Sequence, residues 1–452
     1  MKQKTIFVGD IVSPKSLNDI NCRTSGFLEV EDGIITDIGT TTESKPLRVS
    51  DNTDVRVLGP NQFLMPGFVD CHTHAPQFPN IGLGLDRPLL EWLDKYTFPL
   101  ESQYSDKEFA ASVYDQVVRR LLKNGTTTAC YFGSIHLEGT LELVNSVIKH
   151  NQRALVGKVS MNIKNDAGYF NDTKKELEEV ETFVNKVYNC KNDLVQPIVT
   201  PRFAVSCDKE LMKQLSQIAN RYQCGIQSHI SENQKEIEHV LEKNPCCSCY
   251  SDVYEKCGIF DEKCIMAHAI YLSEKEMSIF SRKGISIAHC PASNTRLKSG
   301  LCPVRKLLNN KIKVGLGTDV SGGDNASILD AIRRTMDVSE HLHLLGAEES
   351  ALNWKEALYL ATLGGAEALH LNDKIGSFEI GKQFDALLID LYAKDSPVDK
   401  FDYSVAINKE ENLLDKVQRF IYLGDDRNIV QVFVKGKKVK DINMASTNVA
   451  LS

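Results

Sequence analysis

The chain has 452 residues, of which 42% are hydrophobic and 25% are charged, and its formal net charge is −7. This composition is ordinary for a soluble globular protein, and the length allows one large domain or two to three smaller ones. The acidic balance offers no basic surface for nucleic acid or for an acidic membrane face. A small-molecule partner is therefore expected.

The N-terminus and the cysteines indicate the compartment. Near the start only Ile6-Phe7-Val8 form an apolar run, which is too short for a signal peptide, and no run of about 18 apolar residues follows. The thirteen cysteines are scattered through the chain without a compact disulfide framework. We expect a cytoplasmic protein with reduced cysteines and no membrane span.

In chain order, the first predicted elements are short strands at residues 5–12 and 26–38, with a turn at Asp32-Gly33. Strand-like apolar runs then alternate with helical patterns such as 107–123, 174–188, 209–222 and 273–283. The apolar runs lie at 63–70, 126–132, 154–161, 194–200, 225–228, 264–267, 284–288 and 313–316. Eight strands alternating with helices predict an α/β fold of the (β/α)8 TIM-barrel type.

After about residue 374 the pattern returns to β-type at 384–389, 417–423 and 430–439. Neither end of the chain has enough strands for a stable sheet alone, so both ends are predicted to build one small β-domain. The predicted organisation is β-domain (1–65), barrel (66–373) and β-domain again (374–452). The segment 445–452 carries no motif and is expected to be disordered.

Five residues that can ligate a metal follow separate strand-like runs. They are His72, His74, His229, His268 and Asp319. His72 and His74 are two positions apart, so both side chains of an extended strand point to one face. Active sites of such barrels lie at the C-terminal ends of the strands, and imidazoles with a carboxylate suit zinc. We predict a metal site where these residues meet.

A second group of metal-ligand residues is less regular. Cys246 and Cys249 have the spacing of a zinc knuckle, but Cys257 and Cys264 are six residues apart and do not form a second close pair. With Cys247, this stretch is interpreted as ordinary thiols in a helical excursion rather than as a structural zinc site.

The chain resembles the amidohydrolase superfamily of metal-dependent hydrolases. The resemblance rests on the run Pro66-Gly67-Phe68-Val69-Asp70-Cys71-His72-Thr73-His74, on His229 and His268, and on Gly317-Thr318-Asp319. Many members also carry a small β-sandwich built from both termini. The stretches that resemble the guanine-deaminating branch are 89–99, 123–132, 197–203, 227–233, 287–291 and 422–428.

The resemblance implies one zinc ion per chain, held by His72, His74, His229 and Asp319. Members with two metals place a lysine after strand four, where this chain has Thr200-Pro201-Arg202, and a guanidinium cannot form the bridging carbamate. His268 is expected to contact the attacking water rather than to ligate the metal.

Glu232 is expected to shuttle protons, with His268 and Asp319 as further catalytic residues. Its alternative reading is a solvated acid at a helix N-terminus. His289 is interpreted as structural or as a residue behind the site.

Substrate contacts are expected from Gln77, Arg202 and Phe203, together with His229, Glu232 and Asp319. Arg202 has an ordinary surface salt bridge as its alternative role, and Phe203 has plain core packing. The implied reaction is hydrolytic deamination of guanine to xanthine and ammonia, by a homodimer. Rival interpretations are a deaminase or chlorohydrolase of another purine, pterin or triazine, and a non-catalytic relative that serves as an assembly scaffold.

Overall fold

The computed structural model describes residues 4–40, 49, 53–401 and 411–441. Its strands are β1 (Lys4–Ser16), β2 (Asp19–Glu31), β3 (Ile34–Thr40), β4 (Thr53–Val57), β5 (Gln62–Pro66), β6 (Phe68–His74), β7 (Thr126–Phe132), β8 (Arg153–Gly157), β9 (Val159–Ser160), β10 (Val195–Pro197), β11 (Thr200–Pro201), β12 (Ile226–Ile230), β13 (Cys264–His268), β14 (Ser286–His289), β15 (Val314–Leu316), β16 (Ala386–Asp390), β17 (Ile429–Val434) and β18 (Lys437–Asp441).

Helices occupy most of the connections between the central strands. They are α1 (Leu89–Trp92), α2 (Phe98–Glu101), α3 (Lys107–Lys123), α4 (Leu137–Lys149), α5 (Thr173–Asn189), α6 (Lys209–Tyr222), α7 (Gln234–Lys243), α8 (Tyr250–Lys256), α9 (Glu274–Lys283), α10 (Pro291–Arg296), α11 (Val304–Asn309), α12 (Ile328–Leu344), α13 (Trp354–Leu360), α14 (Leu363–Ala368) and α15 (Leu413–Leu423). Two 3₁₀ segments, Ala75–Asn80 and Ser102–Ser105, and a π-helical turn, Leu93–Thr97, complete the helical elements of the described residues.

Strands from both ends of the chain share one sheet. Within the described residues its order is β18-β17-β16-β5-β1-β2-β3, and β4 pairs in parallel with the start of β1. The pairs β16–β5 and β1–β2 are antiparallel, so the C-terminal strands reach the N-terminal ones through β5. Strands from the two ends of the chain therefore pair in one sheet, while a separate small β-domain stays a prediction.

One predicted strand is wrong. Residues 417–423 belong to α15, which begins after Asn412. The Asn412 side chain accepts the backbone N–H of Asp415, and the Asp415 side chain accepts the backbone N–H of Asn412. The buried residues Leu413, Val417, Phe420 and Ile421 follow the spacing of a helix that buries one face. The apolar run alone fits a strand as well as a helix, and the cap formed by Asn412 and Asp415 favours the helix.

The central strands form parallel sheets. One has the order β10-β8-β7-β6, the other β12-β13-β14-β15, and the short strands β11 and β9 pair with each other. An isolated bridge between Val199 and Ile226 links the two groups of strands. The alternation of parallel strands and helices confirms the α/β fold.

The predicted run 63–70 is divided between two sheets. β5 pairs with β1 and β16, whereas β6 pairs with β7. Gly67 lies at the crossing point, where an added Cβ would lie 2.1 Å from the Thr127 hydroxyl oxygen. A side chain at this position would therefore force the two strands apart, and glycine permits the close approach.

The end of β6 is fixed to the segment after β15. The Asp319 N–H donates to the His72 carbonyl oxygen at 2.9 Å, and the His74 N–H donates to the Val320 carbonyl oxygen at 3.1 Å. The buried Asp70 carboxylate adds a second link, since it accepts the Thr318 N–H at 3.1 Å and the Thr318 hydroxyl at 2.6 Å. These contacts bring residues of distant sequence position to one place.

Among the described residues, no helix has the length and apolar composition needed to cross a membrane. The tail at 445–452, predicted to be disordered, lies outside the described residues.

Candidate active site

The five residues singled out by the sequence meet in one buried cluster. His72 and His74 end β6, His229 lies in β12, His268 ends β13, and Asp319 follows β15. All five are at most 7% exposed. Ligand atoms of His72, His74 and Asp319, and separately those of His72, His229 and His268, lie within 4.8 Å of one another.

The donor set in this cluster fits a divalent cation. Nε2 of His72 is 3.2 Å from Asp319 Oδ1, Nε2 of His74 is 3.5 Å from the same oxygen, and Nε2 of His74 is 3.1 Å from Nε2 of His229. Buried His72 Nε2 makes no hydrogen bond of acceptable geometry. Buried ring nitrogens normally form hydrogen bonds. Here they converge on a carboxylate and lack such partners, which is the arrangement expected of ligands that share a metal ion.

The protonation states support this reading. Burial lowers the pKa of His72, His74 and His229, so their rings are neutral and can offer lone pairs. His229 Nδ1 lies 2.6 Å from the Arg202 carbonyl oxygen, which can only accept, so Nδ1 carries the proton and Nε2 faces the cluster as a lone pair. Burial opposes ionisation of Asp319, but His72 and His268 hold its pKa well below the usual range.

His268 differs from the other three histidines. Burial disfavours its charged form, but the carboxylates of Glu232 and Asp319 outweigh that effect and raise its pKa. Its Nε2 lies 3.4 Å from Glu232 Oε2 and 3.7 Å from Asp319 Oδ2, and its Nδ1 lies 2.8 Å from Asn294 Oδ1. A histidine that favours the protonated state suits contact with a water or an anionic oxygen better than metal ligation.

His268 and Asp319 share an unusual backbone conformation. His268 has φ 72° and Asp319 has φ 45°, which is the left-handed region that non-glycine residues rarely occupy. Such a backbone conformation costs of order 1–3 kcal/mol and persists only where the surrounding structure holds it. Residues in this conformation concentrate at functional sites.

Glu232 lies beside the cluster as a buried carboxyl group. Burial raises its pKa to about 7, and it is 4% exposed. The Ser299 hydroxyl donates to its Oε1 at 3.2 Å, and its own backbone N–H donates to Glu236 Oε2 at 2.9 Å. A solvated position at a helix N-terminus is therefore excluded, and a carboxyl group near neutrality is suited to proton transfer.

Arg202 and Gln77 line the same cavity as the cluster. Arg202 is 2% exposed and forms a bidentate ion pair with Glu101, with N–O distances of 2.7 and 3.2 Å. Gln77 Nε2 donates to the same carboxylate at 2.9 Å, while Gln77 Oε1 accepts the Ser321 N–H at 3.1 Å. The expected alternative of a surface salt bridge for Arg202 is therefore wrong, because the pair is buried.

Sequence reasoning missed Glu101. This carboxylate is fully buried at the end of α2, and it holds both predicted substrate-binding polar residues in place. The sequence offers one indication of this role: Glu101 is an acidic residue that follows the apolar run Phe98-Pro99-Leu100. It lies two residues after the segment 89–99.

A small cavity lies between these groups. Phe203 is 6% exposed and lines it. Apolar walls come from residues that sequence reasoning did not single out, namely Leu89, Trp92, Leu93 and Leu297. The cavity therefore combines apolar side chains with the polar groups described above.

Residues 63–439 match the family described as the amidohydrolase family. The chain belongs to this family. It is 50% identical over 387 residues to guanine deaminase from Mus musculus, covering 85% of each chain. The structure resembles guanine deaminase from C. acetobutylicum with guanine bound in the active site, at 34% identity and a TM-score of 0.87, covering 96% of this chain and 99% of that one. It resembles E. coli guanine deaminase at 31% identity and a TM-score of 0.87, covering 97% and 100%.

Proposed function

We propose that the chain catalyses the hydrolytic deamination of guanine to xanthine and ammonia. One observation carries the proposal: buried Glu232 and residues of the histidine–aspartate cluster line one cavity together with Arg202 and Gln77. Guanine deaminases that are up to 50% identical over most of the chain support the same assignment. A neighbouring structure with guanine in its active site supports the choice of substrate.

The same proposal assigns one zinc ion to His72, His74, His229 and Asp319. The family is metal-dependent, and the neutral imidazoles with an ionised carboxylate suit zinc. When bound, zinc supplies the positive charge that lowers the pKa of a water to about 7.

Proton movement belongs to Glu232. Hydrolysis forms a bond between the water oxygen and C2 of guanine and breaks the bond from C2 to the exocyclic nitrogen. Glu232 accepts a proton from the water, passes it to the ring nitrogen next to C2, and assists protonation of the departing ammonia. Asp319 can accept a proton as well, and His268 stabilises the negative charge that develops on the oxygen joined to C2.

Substrate recognition belongs to Arg202, Gln77 and Phe203. Arg202 can only donate hydrogen bonds, which suits the six-position carbonyl of guanine and opposes the six-position amino group of adenine. Gln77 offers a donor and an acceptor to the purine edge, and Phe203 flanks the ring. A site built on such a hydrogen bond discriminates by about 10⁴–10⁵-fold against a partner that cannot form it.

The test is a substrate panel of guanine, adenine, a pterin and a chlorinated triazine, with ammonia or chloride release as the readout. Glu232→Gln serves as the catalytic control, since it keeps the side-chain shape. Guanine turnover far above the other substrates is expected. Faster turnover of adenine, pterin or triazine would reassign the substrate while leaving the hydrolytic chemistry, and no turnover in the metal-loaded protein would favour the scaffold interpretation.

We further infer a closed (β/α)8 barrel spanning residues 66–373, and a β-sandwich domain assembled from 1–65 and 374–452. The hydrogen bonds between β6 and the segment after β15, and the sheet shared by the chain ends, support this division. A homodimer and a cytoplasmic location complete the proposal. Light scattering of the purified protein and cell fractionation test them.

A further inference from the structure

Outside the active site, two neighbouring cysteines lie among lysine side chains. Cys246 and Cys247 belong to the connection between α7 and α8, and their sulfurs are 4.0 Å apart. Lys209, the first residue of α6, donates from Nζ to Cys246 Sγ at 3.4 Å. Lys256, the last residue of α8, donates to Cys247 Sγ at 3.6 Å and to the Cys246 carbonyl oxygen at 2.6 Å. Three elements thus bring two ammonium groups to two thiols.

This environment is unlike that of the other cysteines. Eight of the thirteen are buried, whereas Cys246 is exposed and Cys247 is half-buried. The hydrogen bond from Lys209 lowers the pKa of Cys246, while burial raises that of Cys247. Cys190 is also exposed, but its Sγ contacts the Lys186 carbonyl oxygen instead of an ammonium group. Thiolates form preferentially at exposed sites beside lysine, and the thiolate is the reactive species.

We propose that Cys246 and Cys247 form an oxidation site for peroxides, with Cys246 as the attacking thiolate and Cys247 as the resolving thiol. Cys246 sulfur attacks one peroxide oxygen, the O–O bond breaks, and sulfur is oxidised by two electrons to a sulfenic acid while hydroxide or an alkoxide leaves. Cys247 sulfur then attacks the sulfenic sulfur, the S–S bond forms, and water leaves with the proton of the Cys247 thiol. Two thiols and one hydrogen peroxide give one disulfide and two waters.

The product is reversible for a geometric reason. Adjacent Cα atoms are about 3.8 Å apart across a trans peptide, whereas disulfides usually join Cα atoms about 4.4–6.8 Å apart. A disulfide between neighbours is therefore strained and is easily reduced by small thiols. The site would switch between thiols and disulfide.

The first experiment uses the full-length, metal-loaded protein without substitutions. Sub-stoichiometric iodoacetamide is added at pH 7, and the labelled cysteines are quantified by peptide mass spectrometry. Cys246 should react at least about threefold faster than Cys190, because the Lys209 ammonium group stabilises the Cys246 thiolate. Equal rates at Cys190 and Cys246 would refute the proposal.

Matched variants test the cause. Lys209→Met should bring labelling of Cys246 down to the level of Cys190, whereas Lys213→Met removes a like charge one turn further along α6 and should leave it unchanged. An unchanged rate in Lys209→Met would contradict the role given to the ammonium group.

Peroxide exposure tests the chemistry. The wild-type chain should lose two hydrogen masses in the peptide with Cys246 and Cys247. Cys247→Ser should instead accumulate a sulfenic acid at Cys246 that dimedone traps, and Cys246→Ser should give neither product. Absence of the dimedone adduct at Cys246 in Cys247→Ser would overturn the assignment. Because mass spectrometry reads the result, it is independent of the proposed deaminase activity.

Discussion

Replacing Glu101 by glutamine keeps the side-chain size but removes the charge that pairs with Arg202. Glu101 accepts two hydrogen bonds from Arg202 and one from Gln77, and all three side chains are at most 2% exposed. Burial alone would lower the pKa of Arg202, and the Glu101 carboxylate outweighs burial and raises it. In Glu101→Gln the guanidinium stays protonated, as arginine does in proteins, but it has lost this counter-charge. Breaking one partner of a buried pair costs about 3–5 kcal/mol.

Both stability and catalysis should therefore respond. We expect a lower free energy of unfolding by a few kcal/mol in denaturant titrations, within the range of about 3–5 kcal/mol for such pairs. Arg202 and Gln77 would also lose their fixed positions, and a shift of about 1 Å in a positioning group can cost about 10²-fold in rate. We expect kcat/KM for guanine to fall by at least this factor.

The matched control is Glu91→Gln in the same region of the chain. Glu91 forms exposed ion pairs with Arg87 and Lys95, so its loss should leave both stability and guanine turnover near wild type. The double variant Glu101→Gln, Arg202→Met separates the effect on stability from the effect on catalysis. Because both charges are removed, no unpaired guanidinium remains to destabilise the fold. Wild-type stability together with wild-type kcat/KM in Glu101→Gln would refute the role assigned to this carboxylate.

Four further predictions concern the active site. Metal analysis of the purified chain should find about one zinc per chain, and two tightly bound metals in the active enzyme would contradict the ligand set. Glu232→Gln should retain zinc and fold but lose about 10²–10⁴-fold in kcat, since general acid–base groups contribute this much; near-normal turnover would remove Glu232 from the mechanism. The pKa of Glu232 is raised to about 7, so the ionised base is depleted below that pH, and kcat/KM for guanine should fall as pH decreases through about 7; a flat profile down to pH 5 would exclude it as the base. Arg202→Ala should lose guanine turnover far more than zinc content, measured in parallel, and equal losses would indicate a structural role.

Sequence patterns located the central elements well, because strands buried on both faces give continuous apolar runs and the helices carry clear caps. The strand Thr126–Phe132 and the helices Lys107–Lys123 and Lys209–Tyr222 have the predicted bounds. The prediction of a strand at 417–423 was wrong because the apolar residues of so short a segment fit the spacing of a strand and of a helix. Only the upstream cap formed by Asn412 and Asp415 distinguishes the two.

The metal-ligand residues were predictable because each lies at, or just before or after, the end of a strand, and parallel strands end at one edge. Glu101 was not predictable in this way, since its role depends on a partner 101 positions away. The division of 63–70 into two strands likewise depends on tertiary pairing, because nothing in the local apolar pattern marks Gly67 as a crossing point.

The link between Asp70 and Thr318 spans 248 positions of the chain, and His72 and Asp319 lie immediately beyond it. Closing so long a loop costs entropy before His72 and Asp319 can meet, so we expect the cluster to be completed late in folding. A metal ion that binds only the completed cluster stabilises the native state in proportion to the logarithm of its concentration. Metal uptake should therefore follow the recovery of secondary structure during refolding, and it would report that the first and last central strands have come together.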